Sequence, residues 1–523
     1  MARILVTESI AEGGLDRLRK AGHTVDVREG LSAEELLTVI PGAHALIIRS
    51  ATKVTAELLD AGTELVVVGR AGIGLDNVDV THATANGVMV VNAPQSNVIS
   101  AAEQAMGLLL ASARNIPQAH AALVNGKWER SKWEGVELFG KTVGIVGLGR
   151  VGALVATRCA AFGMHVIAFD PFVSADRART MGVELLDLVE VVKRSDFLSV
   201  HLPKTKETNG LINAEMLRHA KSDLRIINTA RGGIVNESDL YDAVKSGRIA
   251  GAGLDVFVEE PTTDSPLFTL SHIVVTPHLG ASTREAQDKA GDTIADMVLL
   301  AMAGEFVPFA VNVSASEASE TVRPFLPLAE RMGRVLVGLC GNVPSSLEVA
   351  VEGEIAEYDP RIIKLAVLKG LLGPHTDQPV TYVNVPGLAE SAGCTVSTTQ
   401  TTVARDYRNM LTLRSSCGHS VSGTLAGLRK EPRLVEIDAH DVEVPPSAHL
   451  CVIRNDDRPG MIGVVGTTLA AFHINIANMA LGRGENGGSA LMAIATDEAL
   501  PAEAVRTLEA APGITGVHLI SEN

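Results

Sequence analysis

Arg231, Asp255, Glu260 and His278 are the residues of this sequence whose types and spacing could do chemistry. They sit in Asn228-Thr-Ala-Arg231-Gly-Gly, Gly253-Leu-Asp255-Val-Phe, Glu259-Glu260-Pro261 and Pro277-His278-Leu-Gly280. An imidazole titrates close enough to neutral pH to take a hydroxyl proton and return it. A carboxylate beside it, such as Glu260, can hold one tautomer and stabilise the imidazolium. A guanidinium such as Arg231 can bind an α-carboxylate and polarise the neighbouring C2 oxygen. The set suits oxidation of a secondary alcohol by hydride transfer. His278 taken alone also reads as a packed histidine behind a proline.

A hydride needs an acceptor, and Lys141 to Asp170 provide the means to bind one. Val143 to Val146 read as a buried strand, Gly147, Gly149 and Gly152 form G-x-G-x-x-G, and Ala153 to Ala161 continue as a helix-forming run. Gly147 permits the tight turn, Gly149 lets the backbone approach a pyrophosphate, and Gly152 lets helix and strand pack closely. The helix start aims unpaired N–H groups at phosphates. A second apolar run, His165 to Phe169, ends at Asp170, 18 residues past Gly152. A carboxylate there accepts from a free ribose 2′-hydroxyl and repels a 2′-phosphate, so NAD is expected rather than NADP.

These motifs need a scaffold that brings strand ends together. Residues 1 to about 96 alternate short β-branched runs (Ile4–Thr7, Val25–Arg28, Ala45–Ile48, Leu65–Val68, Val88–Val91) with helical stretches (Leu15–Ala21, Ala33–Ile40, Ala56–Ala61), a small doubly wound α/β unit. Within it, Val68 to Asp79 is a second glycine-rich turn, lacking the third glycine and the distal acid of a dinucleotide site. With Arg70 and Arg49 it is either an N–H nest for a small anion or a structural turn beside solvated arginines. Asn97 to Leu123 reads as one long connecting helix. Gly126 to Trp133 holds both tryptophans and three cations, a loop that either closes over an anion, meets another subunit or simply packs. The βα alternation continues to about Ser282, with the strand ends carrying the polar clusters, where doubly wound sheets bind ligands. A helix over Ser282–Gly304 and a strand over Phe306–Val311 can return the chain to the first unit.

Composition limits the function classes. At 523 residues the chain has room for three or four domains. Aromatics are only 3%, so its cores are aliphatic, as parallel sheets covered by helices require. A net charge of −16 argues against nucleic acid as the main partner. The five cysteines are scattered, without C-x-x-C, so neither a disulfide framework nor a metal site is expected. No signal peptide and no run of roughly 18 apolar residues is present, which leads us to expect a cytoplasmic protein that spans no membrane.

Residues 313 to about 445 change character, with a helix over Thr321–Leu339 and strands over Leu347–Val351 and Val380–Val385; Lys430, Arg433 and His440 either bind an anion or form solvated surface. From His449 the order of elements is β-α-β-β-α-β, a ferredoxin-like sandwich with a hairpin over Gly482–Gly488.

The fingerprint, Asp170 and the Arg231, Asp255, Glu260 and His278 motifs resemble the D-isomer-specific 2-hydroxyacid dehydrogenases, and the resemblance covers essentially the whole chain. The domain set, Arg49–Thr55 and Gly69–Asp79 resemble the long branch of that family, which uses NAD to oxidise 3-phospho-D-glycerate to 3-phosphooxypyruvate at the start of phosphorylated serine synthesis. The resemblance implies a Rossmann-type nucleotide domain (97–282) inserted in a smaller flavodoxin-like substrate domain (1–96 plus 283–312). An α+β intervening domain (313–446) and a ferredoxin-like ACT domain (447–523) follow. It implies His278 as acid/base, Glu260 as its partner and Arg231 on the substrate carboxylate and carbonyl. Gly147, Gly149, Arg150, Val151 and Gly152 would meet the pyrophosphate and Asp170 the ribose. Pro203, Thr229, Ala230, Asp255 and Gly280 would line the rest of the cofactor site. Arg49, Arg70, Gly72, Ile73 and Gly74 would hold substrate anions; Ile73 stands where relatives often have Thr. Asn455, Asp457 and Asn475 match the serine-effector positions, Asn455 standing where relatives have His or Tyr. A homotetramer inhibited by L-serine is implied. A glyoxylate or hydroxypyruvate reductase and a non-catalytic NADH-sensing protein are the alternatives, though the first would not need the last 210 or so residues.

Overall fold

The computed structural model describes the chain except residues 314–318, 377–378, 405, 485–487 and 522–523. Its first sheet holds β1 (Arg3–Val6), β2 (Thr24–Val27), β3 (Ala45–Ile48), β4 (Val67–Arg70) and β5 (Met89–Asn92) in the order β2-β1-β3-β4-β5. All its pairings are parallel. β3 and β5 are buried along their whole length, as strands covered on both faces must be. β4 and β5 each end later than the sequence pattern implies, which puts Arg70 on the last position of its strand, at the carboxyl edge of the sheet.

The second sheet is also wholly parallel. Its strands β6 (Thr142–Val146), β7 (His165–Phe169), β8 (Glu184–Leu185), β9 (Phe197–Val200), β10 (Arg225–Asn228), β11 (Gly251–Leu254) and β12 (Ile273–Val275) run in the order β12-β11-β10-β9-β6-β7-β8. Strand order reverses beside β6, and that crevice is where doubly wound sheets bind ligands. The connecting helix expected over Asn97–Leu123 is two helices, Val98–Arg114 and Ile116–Val124. Asn115 adopts φ 50° between them, and Pro117 starts the second, so the first helix stops there.

The Arg284–Met302 helix returns to the first sheet, where Ile294 and Val298 share a core with Ile4 and Val91. Gly69 is what admits it: a Cβ there would come within 2.7 Å of Ile294. The strand expected over Phe306–Val311 is not formed. Pro308 cannot donate to a ladder, and only a single bridge joins Ala310 to Val91.

The third sheet is β13 (Ser346–Gly353), β14 (Thr395–Thr401), β15 (Asn409–Ser415), β16 (Ser420–Ala426), β17 (Glu431–Ile437) and β18 (His440–Val444), in the order β14-β13-β15-β16-β17-β18. The Leu326–Cys340 helix packs on it, preceded by a 3-10 turn at Arg323–Phe325. The Val380–Val385 strand is absent. Thr381 and Asn384 instead bond to each other's backbone N–H groups, and this turn leads into the Val385–Ser391 helix with Pro386 in its first turn. One cysteine expectation is corrected as well. Cys340, ending its helix, and Cys417, in the turn after β15, form a disulfide with Cα atoms 6.0 Å apart. They are 77 residues apart in sequence, and only the packing of helix on sheet brings them together.

The last sheet, β19 (His449–Asn455), β20 (Ile476–Arg483), β21 (Ala490–Thr496) and β22 (Ile514–Ser521), has the antiparallel order β20-β21-β19-β22. With helices Met461–Ala471 and Ala502–Glu509 it is the expected β-α-β-β-α-β sandwich; residues 485–487 of the expected glycine-rich hairpin lie outside the described residues. No helix among the described residues is long and apolar enough to cross a membrane.

Candidate active site

β11 and β12 place Asp255, Glu260 and His278 on adjoining loops. Asp255 is fully buried and its carboxylate is saturated. It accepts the Leu279 and Gly280 N–H groups, both at 2.8 Å, and the Thr276 hydroxyl at 2.6 Å. The Asp255 carbonyl accepts the His278 N–H at 2.8 Å. One residue thus fixes the whole Thr276–Gly280 turn, in which His278 takes φ 53°, a conformation few side chains adopt. His278 Nδ1 lies 2.6 Å from Glu260 Oε2, and the other Glu260 oxygen accepts the Phe257 N–H at 2.8 Å. Burial acts to raise the Glu260 pKa, but the His278 and Phe257 hydrogen bonds outweigh it and hold the carboxyl below its ordinary value. An ionised carboxylate only accepts, so neutral His278 carries its proton on Nδ1 and presents Nε2 as a base.

The guanidinium groups come from both sheets. Arg231 follows β10, and its Nη1 donates to the Ala230 carbonyl at 2.7 Å. Its Nε reaches Asp76 of the first sheet's glycine turn at 3.4 Å, bridging the cleft between the two sheets. Gly74 is packed against this guanidinium and Gly72 against that of Arg70, so a side chain at either position would displace an arginine. Arg70 Nε is buried with no described partner. Burial first, then the nearby Arg231 charge, lowers the Arg70 pKa. An arginine stays protonated even so, and a half-buried cation with no described hydrogen-bonding partner is a place suited to an anion. Arg49, Gly72 and Asn97 line one cavity beside it, while the Ile73 carbonyl accepts from the buried Asn92 amide at 2.7 Å.

Two residues here escaped the sequence reading. Glu8, after β1, accepts four consecutive backbone N–H groups, from Arg49 (2.8 Å), Ser50 (3.1 Å), Ala51 (3.0 Å) and Thr52 (2.9 Å). Burial raises its pKa, but these bonds outweigh it and the net shift is downward. Asn97 Oδ1 is buried without a described partner. No motif marks either residue, because an acid that binds a loop more than 40 positions away leaves no spacing signal.

The Gly147–Gly152 turn fits a dinucleotide. Gly147 has φ 97°, and a Cβ on Gly152 would collide with the Gly147 carbonyl oxygen. Nothing lies within 4 Å of a Cβ built on Gly149, which caps the Arg150–Ala161 helix without a side-chain bond. The first-turn N–H groups, Val151 among them, are therefore left for a phosphate. Asp170 sits across the turn and accepts the Leu148 N–H at 2.8 Å and the Phe172 N–H at 2.9 Å. Thr229 Oγ1 is buried with no described partner, beside Ala230 on the β10 loop. Pro203 follows β9 on the same edge of the sheet.

The effector positions are less convergent. Asn455 ends β19, is 2% exposed, accepts the Asp457 N–H at 3.1 Å and leaves its Nδ2 without a described partner. Asp457 pairs with Arg483 at 3.2 Å, and the Asn475 amide donates to Asp497 at 2.6 Å. Of the other candidate anion ligands, Arg433 is paired with Glu431 and His440 bonds the Asp438 carbonyl. In the tryptophan loop, Trp128 is 82% exposed and Lys132 lies over the Trp133 ring.

Comparison with known proteins agrees with this architecture. The NAD binding domain of the D-isomer specific 2-hydroxyacid dehydrogenases matches residues 106–280, the D-3-phosphoglycerate dehydrogenase intervening domain matches 321–438, and the ACT domain matches 449–513. D-3-phosphoglycerate dehydrogenase of Mycobacterium leprae is 44% identical over 99% of both chains. That of Methanocaldococcus jannaschii is 40% identical over the full length of both. Among solved structures, the TT0316 protein of Thermus thermophilus is 34% identical with a TM-score of 0.56, covering 59% of this chain and 99% of its own. D-lactate dehydrogenase of Escherichia coli, at 26% identity and TM-score 0.54, covers the same share. The chain belongs to the D-isomer-specific 2-hydroxyacid dehydrogenase family, among its D-3-phosphoglycerate dehydrogenases.

Proposed function

We propose that this chain oxidises 3-phospho-D-glycerate at C2 to 3-phosphooxypyruvate with NAD, at the entry to phosphorylated L-serine synthesis. The observation that carries the reading is the convergence of the His278–Glu260 pair, Arg231 and the unpartnered Arg70 on one cleft beside the glycine turn. Arg231 binds the substrate carboxylate and C2 oxygen; Arg70, Arg49 and the Gly72–Gly74 backbone hold the phosphate. His278 Nε2 takes the C2 hydroxyl proton, and Glu260 stabilises the imidazolium that results. Gly147 to Gly152, Asp170, Pro203, Thr229 and Ala230 would hold NAD, which when bound supplies the acceptor for the C2 hydride. Asp255 acts by fixing the turn that carries His278 and Gly280.

On this reading the chain divides into a substrate domain (1–96 plus 283–312), a nucleotide domain (97–282), an intervening domain (313–446) and an ACT domain (447–523). The protein works in the cytoplasm as a homotetramer. L-Serine binds the ACT domain near Asn455, Asp457 and Asn475 and inhibits turnover. The test is NADH oxidation with 3-phosphooxypyruvate, with and without L-serine. Serine-sensitive turnover is expected. Turnover on glyoxylate or hydroxypyruvate alone would overturn the substrate assignment, and turnover indifferent to serine would overturn the effector assignment.

A further inference from the structure

The intervening domain holds a cavity that the reaction does not use. It has a volume of about 390 Å³ and lies where the Arg361–Leu372 helix, the Val385–Ser391 helix and the start of β14 meet. That size falls in the range of about 300–1,000 Å³ typical of small-molecule sites. Leu365, Leu368, Ala389 and Val396 make its walls apolar. Cys394 adds to them as a neutral thiol, because burial raises its pKa.

Three charged groups line the cavity, and they are not equivalent. Arg361 is already bound to Asp359, with Nε at 2.7 Å from that carboxylate. Lys364 is half-buried, and its Nζ makes a single described bond, to the Val396 carbonyl at 3.3 Å. No carboxylate among the described residues pairs with Lys364, and no cation among them pairs with Glu390, the exposed second-last residue of the neighbouring helix, which lines the same cavity. The site therefore offers one uncommitted cation and one uncommitted, exposed anion on the lining of an otherwise largely apolar pocket. Lys364 stands in the first turns of a twelve-residue helix, where the dipole adds to its attraction for a carboxylate.

We propose that this cavity binds a free α-amino acid with an apolar side chain. The ligand's carboxylate meets Lys364, its ammonium meets Glu390, and its side chain enters the pocket walled by Leu365, Leu368 and Val396. A simple fatty acid would leave Glu390 unmatched and a simple amine would leave Lys364 unmatched. A polar side chain would lose its water against apolar walls that return no hydrogen bond.

The test uses the full chain and L-leucine, read by isothermal titration calorimetry. L-Leucinamide, which lacks the carboxylate, and 4-methylpentanoate, which lacks the ammonium, are the controls. Saturable binding of L-leucine is expected, with each control weaker by about tenfold or more, as loss of one charged hydrogen-bonding partner implies. Lys364→Met and Glu390→Gln should each weaken L-leucine by a similar factor while leaving NADH-dependent turnover unchanged, which also reports that they fold. Absence of saturable binding would overturn the proposal. Equal affinity for either control would overturn the zwitterion assignment. Undiminished binding in both variants would place the ligand elsewhere, the ACT domain included, and overturn the site.

Discussion

Two glycine-rich turns follow parallel strands in this molecule, one after β6 and one after β4, and they face their ligands by opposite means. The Gly147–Gly152 turn opens directly onto a twelve-residue helix, and its recognition is written in backbone: free N–H groups, a dipole, and Gly147 and Gly152 at positions that admit no side chain. The Gly72–Gly74 turn opens onto no helix; the next one starts at Val80. Its glycines make room for guanidinium groups instead, Arg70 at one and Arg231 at the other. A dinucleotide is long enough to be held along a helix start and a strand end. A three-carbon phosphate is not, and its charges must be met by side chains gathered from two sheets.

The comparison makes separable predictions. The largest effect comes from silencing the proton chemistry while leaving both turns intact. His278→Asn suits the φ 53° backbone, and kcat should fall by about a thousandfold with NADH affinity unchanged, as loss of a general acid/base implies. Retained turnover would remove His278 as the acid/base. Next, Arg70→Met should raise KM for 3-phosphooxypyruvate by about a hundredfold, the worth of charge-assisted hydrogen bonds to one guanidinium, and leave KM for NADH alone. Gly152→Ala should do the reverse, weakening NADH about tenfold through the collision with the Gly147 carbonyl while sparing the substrate KM. If either variant shifted both constants equally, the division of labour between the turns would fail.

Smaller effects sharpen the picture. Glu8→Gln should raise the substrate KM several-fold without changing that for NADH, since it loosens only the Arg49–Thr52 loop. The pH response follows from Glu260. Its folded pKa lies below the ordinary 4.5, so the stability it contributes is present above 4.5 and is lost as pH falls through the folded value. Unfolding temperatures of the parent and Glu260→Gln should therefore differ by a constant amount at neutral pH and converge only in acid. Convergence already at neutral pH would contradict the shift.

Much of this was legible from sequence because parallel sheets repeat a simple grammar. An apolar run ends, a polar cluster follows, and the cluster faces the ligand; Arg231, Asp255, Glu260 and His278 could all be read that way. What escaped depended on contacts between distant residues. Glu8 binds a loop more than 40 residues on. The Cys340–Cys417 disulfide exists only because a helix lies on a sheet. Where a local rule competed with a pattern, the local rule prevailed: Pro308 and the Thr381–Asn384 turn each cancelled an apolar run that resembled a strand. The effector positions were legible as a motif but not as a site, because Asp457 and Asn475 are each bonded to a different partner, Arg483 and Asp497.

The left-handed backbone at His278 also limits how this active site can change over generations. Of the residues that supply acid/base chemistry, few tolerate φ 53°; histidine and aspartate do so more readily than lysine, tyrosine or glutamate. Asp255, by clamping the turn on both sides of that position, narrows the set of viable descendants before any question of reactivity arises. Proton transfer at this position is therefore constrained by geometry as well as by chemistry, and a change of substrate is open to the Arg49, Arg70 and Gly72–Gly74 side of the cleft long before a change of base is open to the other.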